Sequence, residues 1–185
     1  MINGSLKVFA LNGFKHASTD EIVAEAGISK GLLFHYFYNK VGLYEFLAEY
    51  SARFALVELN SELRRKEPLP FFRLLESVSR AEASAMSRYP CLYLFLNTVS
   101  AELGDKVSAQ AKESLSLYTE RIRELSEASV LPDSMTWQDA VRIEYYAKLV
   151  RTDIMASLYR SGEFTPERYL ADALETIRYF EKLFS

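Results

Sequence analysis

Ser18-Thr19-Asp20-Glu21-Ile22-Val23-Ala24-Glu25-Ala26-Gly27-Ile28-Ser29-Lys30-Gly31-Leu32-Leu33-Phe34-His35-Tyr36-Phe37-Tyr38-Asn39-Lys40 is the stretch that decides the fold. Ser18, with Glu21 three residues on, forms a capping box that opens a helix. Ile22, Val23 and Ala26 give that helix an apolar face. Gly27 supplies the positive-φ residue that ends it sharply. Ile28 plugs the turn, and Ser29 caps a second helix. Asn39 then caps a third. Two short helices joined by a tight turn make a helix-turn-helix, a design whose second helix lies in the major groove of DNA.

The second helix has a face to spare. At 100° per residue Leu33 and Phe37 point to the core, Gly31, Leu32 and His35 point away, and Phe34 and Tyr36 flank the two edges. An exposed aromatic cluster with a lysine and a glycine marks a docking surface. Gly31 weakens a helix by about 1 kcal/mol relative to Ala, and it also lets a sugar-phosphate backbone come close. Lys40, in the first turn of the third helix, opposes that helix's dipole. A phosphate there is favoured by both the lysine and the free backbone N–H groups. A helix-turn-helix pattern taken alone also fits a buried helical hairpin in some other all-α protein.

The resemblance extends beyond the bare pattern. Phe9, Gly13-Phe14, Ser18-Thr19, Glu21-Ile22, Ala26-Gly27-Ile28-Ser29-Lys30-Gly31, Leu33-Phe34-His35-Tyr36-Phe37 and Asn39-Lys40 resemble, at fixed spacing and without gaps, the DNA-binding domain of the tetracycline-repressor (TetR) family of bacterial regulators. The resemblance implies an all-α fold of about nine helices. Residues 1–44 would form the helix-turn-helix domain, and residues 45–185 an effector-binding and dimerisation domain. Geometry and resemblance together assign Lys30, Gly31, Leu32, Phe34 and His35 to base edges. Thr19, Ser29, Tyr36 and Lys40 go to phosphates. Many relatives carry a hydroxyl residue at the Leu32 position and Tyr at the Phe34 position, so this chain is expected to read thymine methyl groups instead. Relatives usually also carry residues, often basic, ahead of the first helix, which begins here within Ile2-Asn3-Gly4-Ser5. Either the native start lies upstream of Met1, or the protein binds DNA without that arm.

Length and composition agree with this class. The chain has 185 residues, 49% of them hydrophobic, with 7 Gly and 5 Pro. That is enough for a real core in one or two domains. No apolar run reaches the ~18 residues of a membrane span, and no secretory signal opens the chain, so a cytoplasmic protein with no membrane partner is expected. The single Cys91 excludes an intrachain disulfide and reads as a small buried hydrophobe. Net charge is −3. Within residues 1–45, Lys7, Lys15, Lys30 and Lys40 are balanced by Asp20, Glu21, Glu25 and Glu45. A DNA-binding domain usually shows a positive face, so non-specific affinity should be modest.

Beyond Val41 the helical period continues. A long helix is expected to about Arg65, carrying Tyr44, Leu47, Phe54 and Leu63 near one face, and Lys66-Glu67-Pro68-Leu69-Pro70 breaks it. Further helices are expected from Phe71 to Arg88, from Pro90 to Glu102 with Gly104 as C-cap, and over 105–129 with Val107, Ala111, Leu115, Tyr118, Ile122 and Leu125 inward. Another runs from Thr136 to Arg160, ended by Gly162. The last starts at Pro166 behind Thr165. On it Leu170, Ala173, Leu174, Ile177, Phe180 and Phe184 form one stripe and Tyr169, Tyr179 and Leu183 a second. Two stripes indicate burial against both its own domain and a partner. Resemblance places Leu170, Ala173, Leu174, Ile177 and Phe180 in a two-fold four-helix homodimer interface.

A small-molecule effector is implied by the resemblance alone. Phe72, Met86, Tyr89, Tyr93, Phe95, Asn97, Tyr118, Arg121, Trp137, Tyr145 and Tyr146 can line a pocket, and Met86, Tyr93, Asn97, Tyr118 and Tyr146 are taken as its core. Singly, each also suits ordinary core packing. Asn97 and Asp153 stand in apolar helical stretches, where an unpaired polar group costs about 1–3 kcal/mol, so each calls for a neighbour such as Arg151, or a ligand. The resulting reading is a ligand-responsive regulator, most often a repressor, on a palindromic double-stranded DNA operator. An all-α enzyme is the first alternative. The sequence has no HExxH, no Glu-x-x-His pair, no Gly-rich phosphate loop and no Gly-x-Ser-x-Gly elbow, and its two histidines, His16 and His35, lack ligand partners. No catalytic residue, metal or cofactor is expected. The second alternative is an interaction module whose helix-turn-helix no longer binds DNA.

Overall fold

The computed structural model describes residues 1–63, 68–102 and 108–184, the side chains of 100–102 excepted. Within these residues the chain forms nine helices, joined by short turns: α1 (Ile2–His16), α2 (Thr19–Ala26), α3 (Lys30–Phe37), α4 (Lys40–Glu62), α5 (Phe71–Arg88), α6 (Leu92–Glu102), α7 (Ala109–Glu127), α8 (Trp137–Ser161) and α9 (Pro166–Lys182). Among the described residues the single extended pairing is an isolated bridge between Pro70 and Val130. It ties the approach to α5 to the end of α7.

The ends obey the local chemistry. Ser18 and Glu21 close a complete capping box on α2, and Gly27 ends that helix in the left-handed region at φ 64°. Thr136 and Asp139 form a second capping box on α8, and Gly162 at φ 73° stops it. Thr165 caps α9 with Pro166 in its first turn. α6 starts at Leu92 rather than Pro90, because the Leu92 amide first donates to the Tyr89 carbonyl in a turn (2.9 Å). The expected extension of α4 to Arg65, the break at Lys66-Glu67, the C-cap at Gly104 and the inward Val107 lie outside the described residues.

The layers follow from the apolar stripes. α4 packs on α5 and α7, α5 on α9, and α9 on α8. α1 lies between α2 and α6. The contact of α1 with α2 is backbone on backbone: a side chain at Gly4 would meet the Glu25 carbonyl oxygen at 2.6 Å. Leu6, Phe9, Ile22, Leu33, Leu43 and Leu47 share one buried cluster with Phe95, Met86 and Tyr169, so the N-terminal helices and the body have a continuous core. Along α4 the rings of Phe46, Tyr50 and Phe54 stack at 5.8 and 6.2 Å between centroids. Phe37 of α3 extends this ladder at one end (5.2 Å from Phe46), and Tyr89, after α5, closes it at the other (4.9 Å from Phe54). The Tyr50 and Tyr89 hydroxyls share a hydrogen bond of 2.5 Å.

Candidate nucleic-acid interface and interior cavity

The outer face of the motif is built by its caps. Ser18 N–H donates to Glu21 Oε2 (3.0 Å), and Glu21 N–H donates back to Ser18 Oγ (3.1 Å). The Ser18 backbone and hydroxyl hold the Glu21 carboxyl below its ordinary range. Ser29 Oγ accepts from the Leu32 amide (3.1 Å), which orients α3. Leu33 is buried beneath α3, whereas Gly31, Leu32, Phe34, His35 and Tyr36 are exposed, as are Ser29 and Lys30. Thr19 is half-buried beside them. The His35 and Tyr36 rings pack edge to face at 5.1 Å. The turn into α4 is tight. Tyr38 takes a left-handed φ of 59°, and a side chain at Gly42 would meet the Phe37 carbonyl at 2.3 Å. The geometry leaves open space at Gly31, where an added Cβ would be 3.8 Å from the nearest atom.

Charge is spent inside the domain. Lys7 pairs with Glu25 (2.8 Å) and Lys30 with Asp20 (2.6 Å). Lys40 departs from the sequence-based expectation. Its ammonium does not project toward a phosphate at the start of α4. It turns back and donates to the carbonyls of Phe14 (2.8 Å) and Ala17 (2.9 Å), with the Phe14 ring beneath it at 4.5 Å. These carbonyls belong to the end of α1, just past the point where Gly13 at φ 69° interrupts the helix. A cation is favoured at that negative helix end. Lys40 therefore bolts α1 to α4.

A cavity of about 320 Å³ lies in the body, walled by α5, α6, α7, α8 and Tyr169 of α9. Tyr93, Asn97 and Tyr118 line it; Met86 and Tyr146 do not. Met86 is fully buried in the core, and Tyr146 is exposed on the outer side of α8. Asn97 is satisfied by Thr152 (Nδ2 to Oγ1, 3.3 Å). Asp153 is a surface residue whose nearest cation is Arg160 at 4.0 Å. No residue of α4 reaches the cavity, so α4 is not the helix that a cavity ligand would touch. α6 has contacts in both directions. Tyr93, Leu96 and Asn97 face the cavity, while Phe95 meets Phe9 of α1 (6.2 Å) and Thr98 bonds the Ala10 carbonyl (3.5 Å).

Sequence reasoning missed Glu82, and it offered Arg151 only as a neighbour for Asn97 or Asp153. Glu82 accepts a short hydrogen bond from the Tyr169 hydroxyl, and Arg151 Nε lies 3.1 Å from Glu82 Oε2. Both side chains are buried. Burial is the largest single influence and works against the Arg151 charge, but Glu82 together with Tyr169 and Tyr118 raises the guanidinium above its ordinary value. Burial likewise pushes the Tyr93, Tyr118 and Tyr169 phenols up, so they stay protonated. A sequence signal existed: Val78-x-x-x-Glu82-x-x-x-Met86 and Ala147-x-x-x-Arg151-x-x-x-Met155 each put a charge at an apolar position of a helical stripe.

The predicted partner stripe packs largely on its own chain. Ala173 (0% exposed) and Ile177 (1%) are sealed inside the protomer, Leu174 is buried, and Leu170 and Phe180 are half-buried against its own core. α5 and α8 use up this face of α9. An open apolar row runs along α8: Trp137, Val141, Tyr145 (59%) and Leu149 (48%) recur every four residues. Tyr146 lies beside them, and Tyr179 and Leu183 of α9 are also exposed.

Residues 1–47 match the family described as bacterial regulatory proteins, tetR family. The N-terminal domain is of the tetR family. Over the whole chain the fold is similar to that of the TetR family transcriptional regulator PfmR from Thermus thermophilus, at 14% identity and a TM-score of 0.60, covering 96% of this chain and 94% of that one. It is also similar to a putative tetR family transcription regulator from Shewanella sp. PV-4, at 18% identity and a TM-score of 0.55, covering 98% and 94%. No curated protein matches the sequence. Residues 1–47 thus carry the helix-turn-helix domain of that family, and the whole chain shares the fold of these regulators. Among the described residues no helix is long and apolar enough to cross a membrane.

Proposed function

We propose that the chain is a ligand-responsive repressor that binds a palindromic operator as a homodimer and releases it when a small molecule fills the cavity. The observation that carries this reading is the pairing of an exposed α3 face with a separate cavity, joined by one helix, α6, that touches both α1 and the cavity. Residues 1–44 act as the DNA-binding domain and 45–185 as the effector and dimer domain. Gly31, Leu32, Phe34 and His35 meet base edges. Leu32 and Phe34 have no hydrogen-bonding group and read thymine methyls. Lys30 exchanges Asp20 for DNA, and Thr19, Ser29 and Tyr36 hold phosphates. Lys40 serves the operator indirectly, by fixing α1 against α4.

The dimer forms through the open face of α8 with Tyr179 and Leu183, which packs against its own copy under two-fold symmetry. Half-sites then lie about one turn of DNA apart, ~34 Å or more. A ligand among Tyr93, Asn97 and Tyr118 shifts α6, and α6 shifts α1. It acts only through its differential affinity for the two states, so DNA weakens ligand binding by the same factor. The test is a gel shift with the protein's own upstream region, at two salt concentrations. Saturable retention that survives competitor DNA supports the reading. Binding no tighter than to random DNA makes the motif an interaction module.

A further inference from the structure

The deep end of the cavity holds a hydrogen-bond donor with nothing to bind. Arg151 is 7% exposed and lines the cavity, yet its Nη1 has no hydrogen-bond partner. The one anion beside it, Glu82, is shared with the Tyr169 hydroxyl. A buried donor left unmade is costly. A ligand acceptor would satisfy it.

We propose that the cavity selects an uncharged, largely apolar molecule bearing a carbonyl-type oxygen, which Arg151 binds beside the Glu82 pair. This rests on the effector reading above and names its ligand class. The charge arithmetic is local. Glu82 and Arg151 neutralise each other, so a carboxylate ligand would leave a net negative charge in a low-dielectric pocket. A cationic ligand would find Glu82 already engaged and the three phenols protonated. Leu74, Leu75, Val78, Leu96, Ile122 and Met155 bury hydrocarbon, and the uncharged Asn97, Thr119, Ser126 and Thr152 complete the wall. The other charged groups facing the cavity are Glu144, Lys148 and Arg123. Lys148 and Arg123 are exposed, Glu144 is half-buried, and Arg123 is held by Glu120 and Glu127.

The experiment uses three matched probes on the full, DNA-free protein, followed by fluorescence titration. The ketone is prodan, the anion dimethylaminonaphthoate, and the acceptor-free arene dimethylaminonaphthalene. Prodan is expected to bind at least tenfold more tightly than either of the others. In the double variant Glu82→Gln with Arg151→Met, which leaves no charge unpaired, prodan and the arene should bind within threefold of each other. Val78→Trp, which fills the cavity, should abolish binding of all three. A tighter carboxylate would make this an anion site and overturn the proposal. So would an arene that matches prodan, no binding of any probe, or binding untouched by Val78→Trp. If the double variant fails to fold, the three probes on the unmodified chain still decide. A chain that shows the ketone preference but does not release its operator would break the effector reading and leave the ligand class standing.

Discussion

One set of polar groups in the N-terminal helices and one in the helical body are satisfied in opposite ways. In the first, Ser18 with Glu21, Ser29 with the Leu32 amide and Asn39 with the Gly42 amide close over three residues at the surface. In the second, Glu82 reaches Arg151 and Tyr169, on helices far along the chain, out of water. The difference teaches where failure is expensive. A surface cap is worth about 1 kcal/mol, whereas a buried pair broken on one side costs about 3–5 kcal/mol.

Breaking the comparison starts at the buried pair. Arg151→Met should destabilise the protein by about 3–5 kcal/mol, because Glu82 is left buried without its cation. Adding Glu82→Gln to the same chain should recover most of that loss. Urea denaturation measures both, and a single variant within about 1 kcal/mol of the unmodified chain would mean the pair is not structural. Next in size is Ala173→Arg, which overpacks the interface of α9 with its own core at about 3 kcal/mol. Leu149→Arg, on the open face of α8, should keep its Tm and shift light scattering to the monomer. A folded monomer from Ala173→Arg would return the dimer face to α9.

Lys40→Met should cost about 1–3 kcal/mol, because two carbonyls at the end of α1 lose a charged donor. Operator affinity should fall with it, while the salt slope stays unchanged; a slope lower by roughly one would assign Lys40 to a phosphate instead. Smallest is Ser18→Ala, about 1 kcal/mol. It carries a pH signature. The folded Glu21 pKa is depressed, so its contribution is present above the ordinary value of about 4.5 and is lost as pH falls through the lower folded one. Stability of Ser18→Ala should therefore change less with pH in that acid range, read by thermal melts from about pH 3 to 6.

Legibility followed the same division. The α2 capping box, Gly27, Gly162 and the α5, α8 and α9 limits were readable, because each rests on neighbours within four residues. The inward turn of Leu33 followed from helical period alone. The outward turn of Tyr146 and the packing of the α9 stripe on its own chain were not legible for the opposite reason. Periodicity tells that a face is apolar, but not whether the same chain or another one covers it. The inward turn of Lys40 was not legible because its partners, Phe14 and Ala17, lie more than twenty residues back, at a helix end that only the Gly13 break presents. The Glu82–Arg151 pair left only a faint trace, two charges on apolar stripes.

The aromatic ladder beside α4 gives that helix the mechanics of a lever. α4 has 23 residues, so it is about 34 Å long. Stacked rings from Phe37 to Tyr89 brace one side of its middle, about 12 Å from Phe46 to Phe54. A braced rod pivots rather than bends. A tilt of about 5° at the far end would carry the near end through about 3 Å over that length. That is close to the ~3.4 Å between neighbouring bases on one DNA strand. An adjustment of the body too small to break any of its contacts is thus geared up into a full base step of misregister at α3.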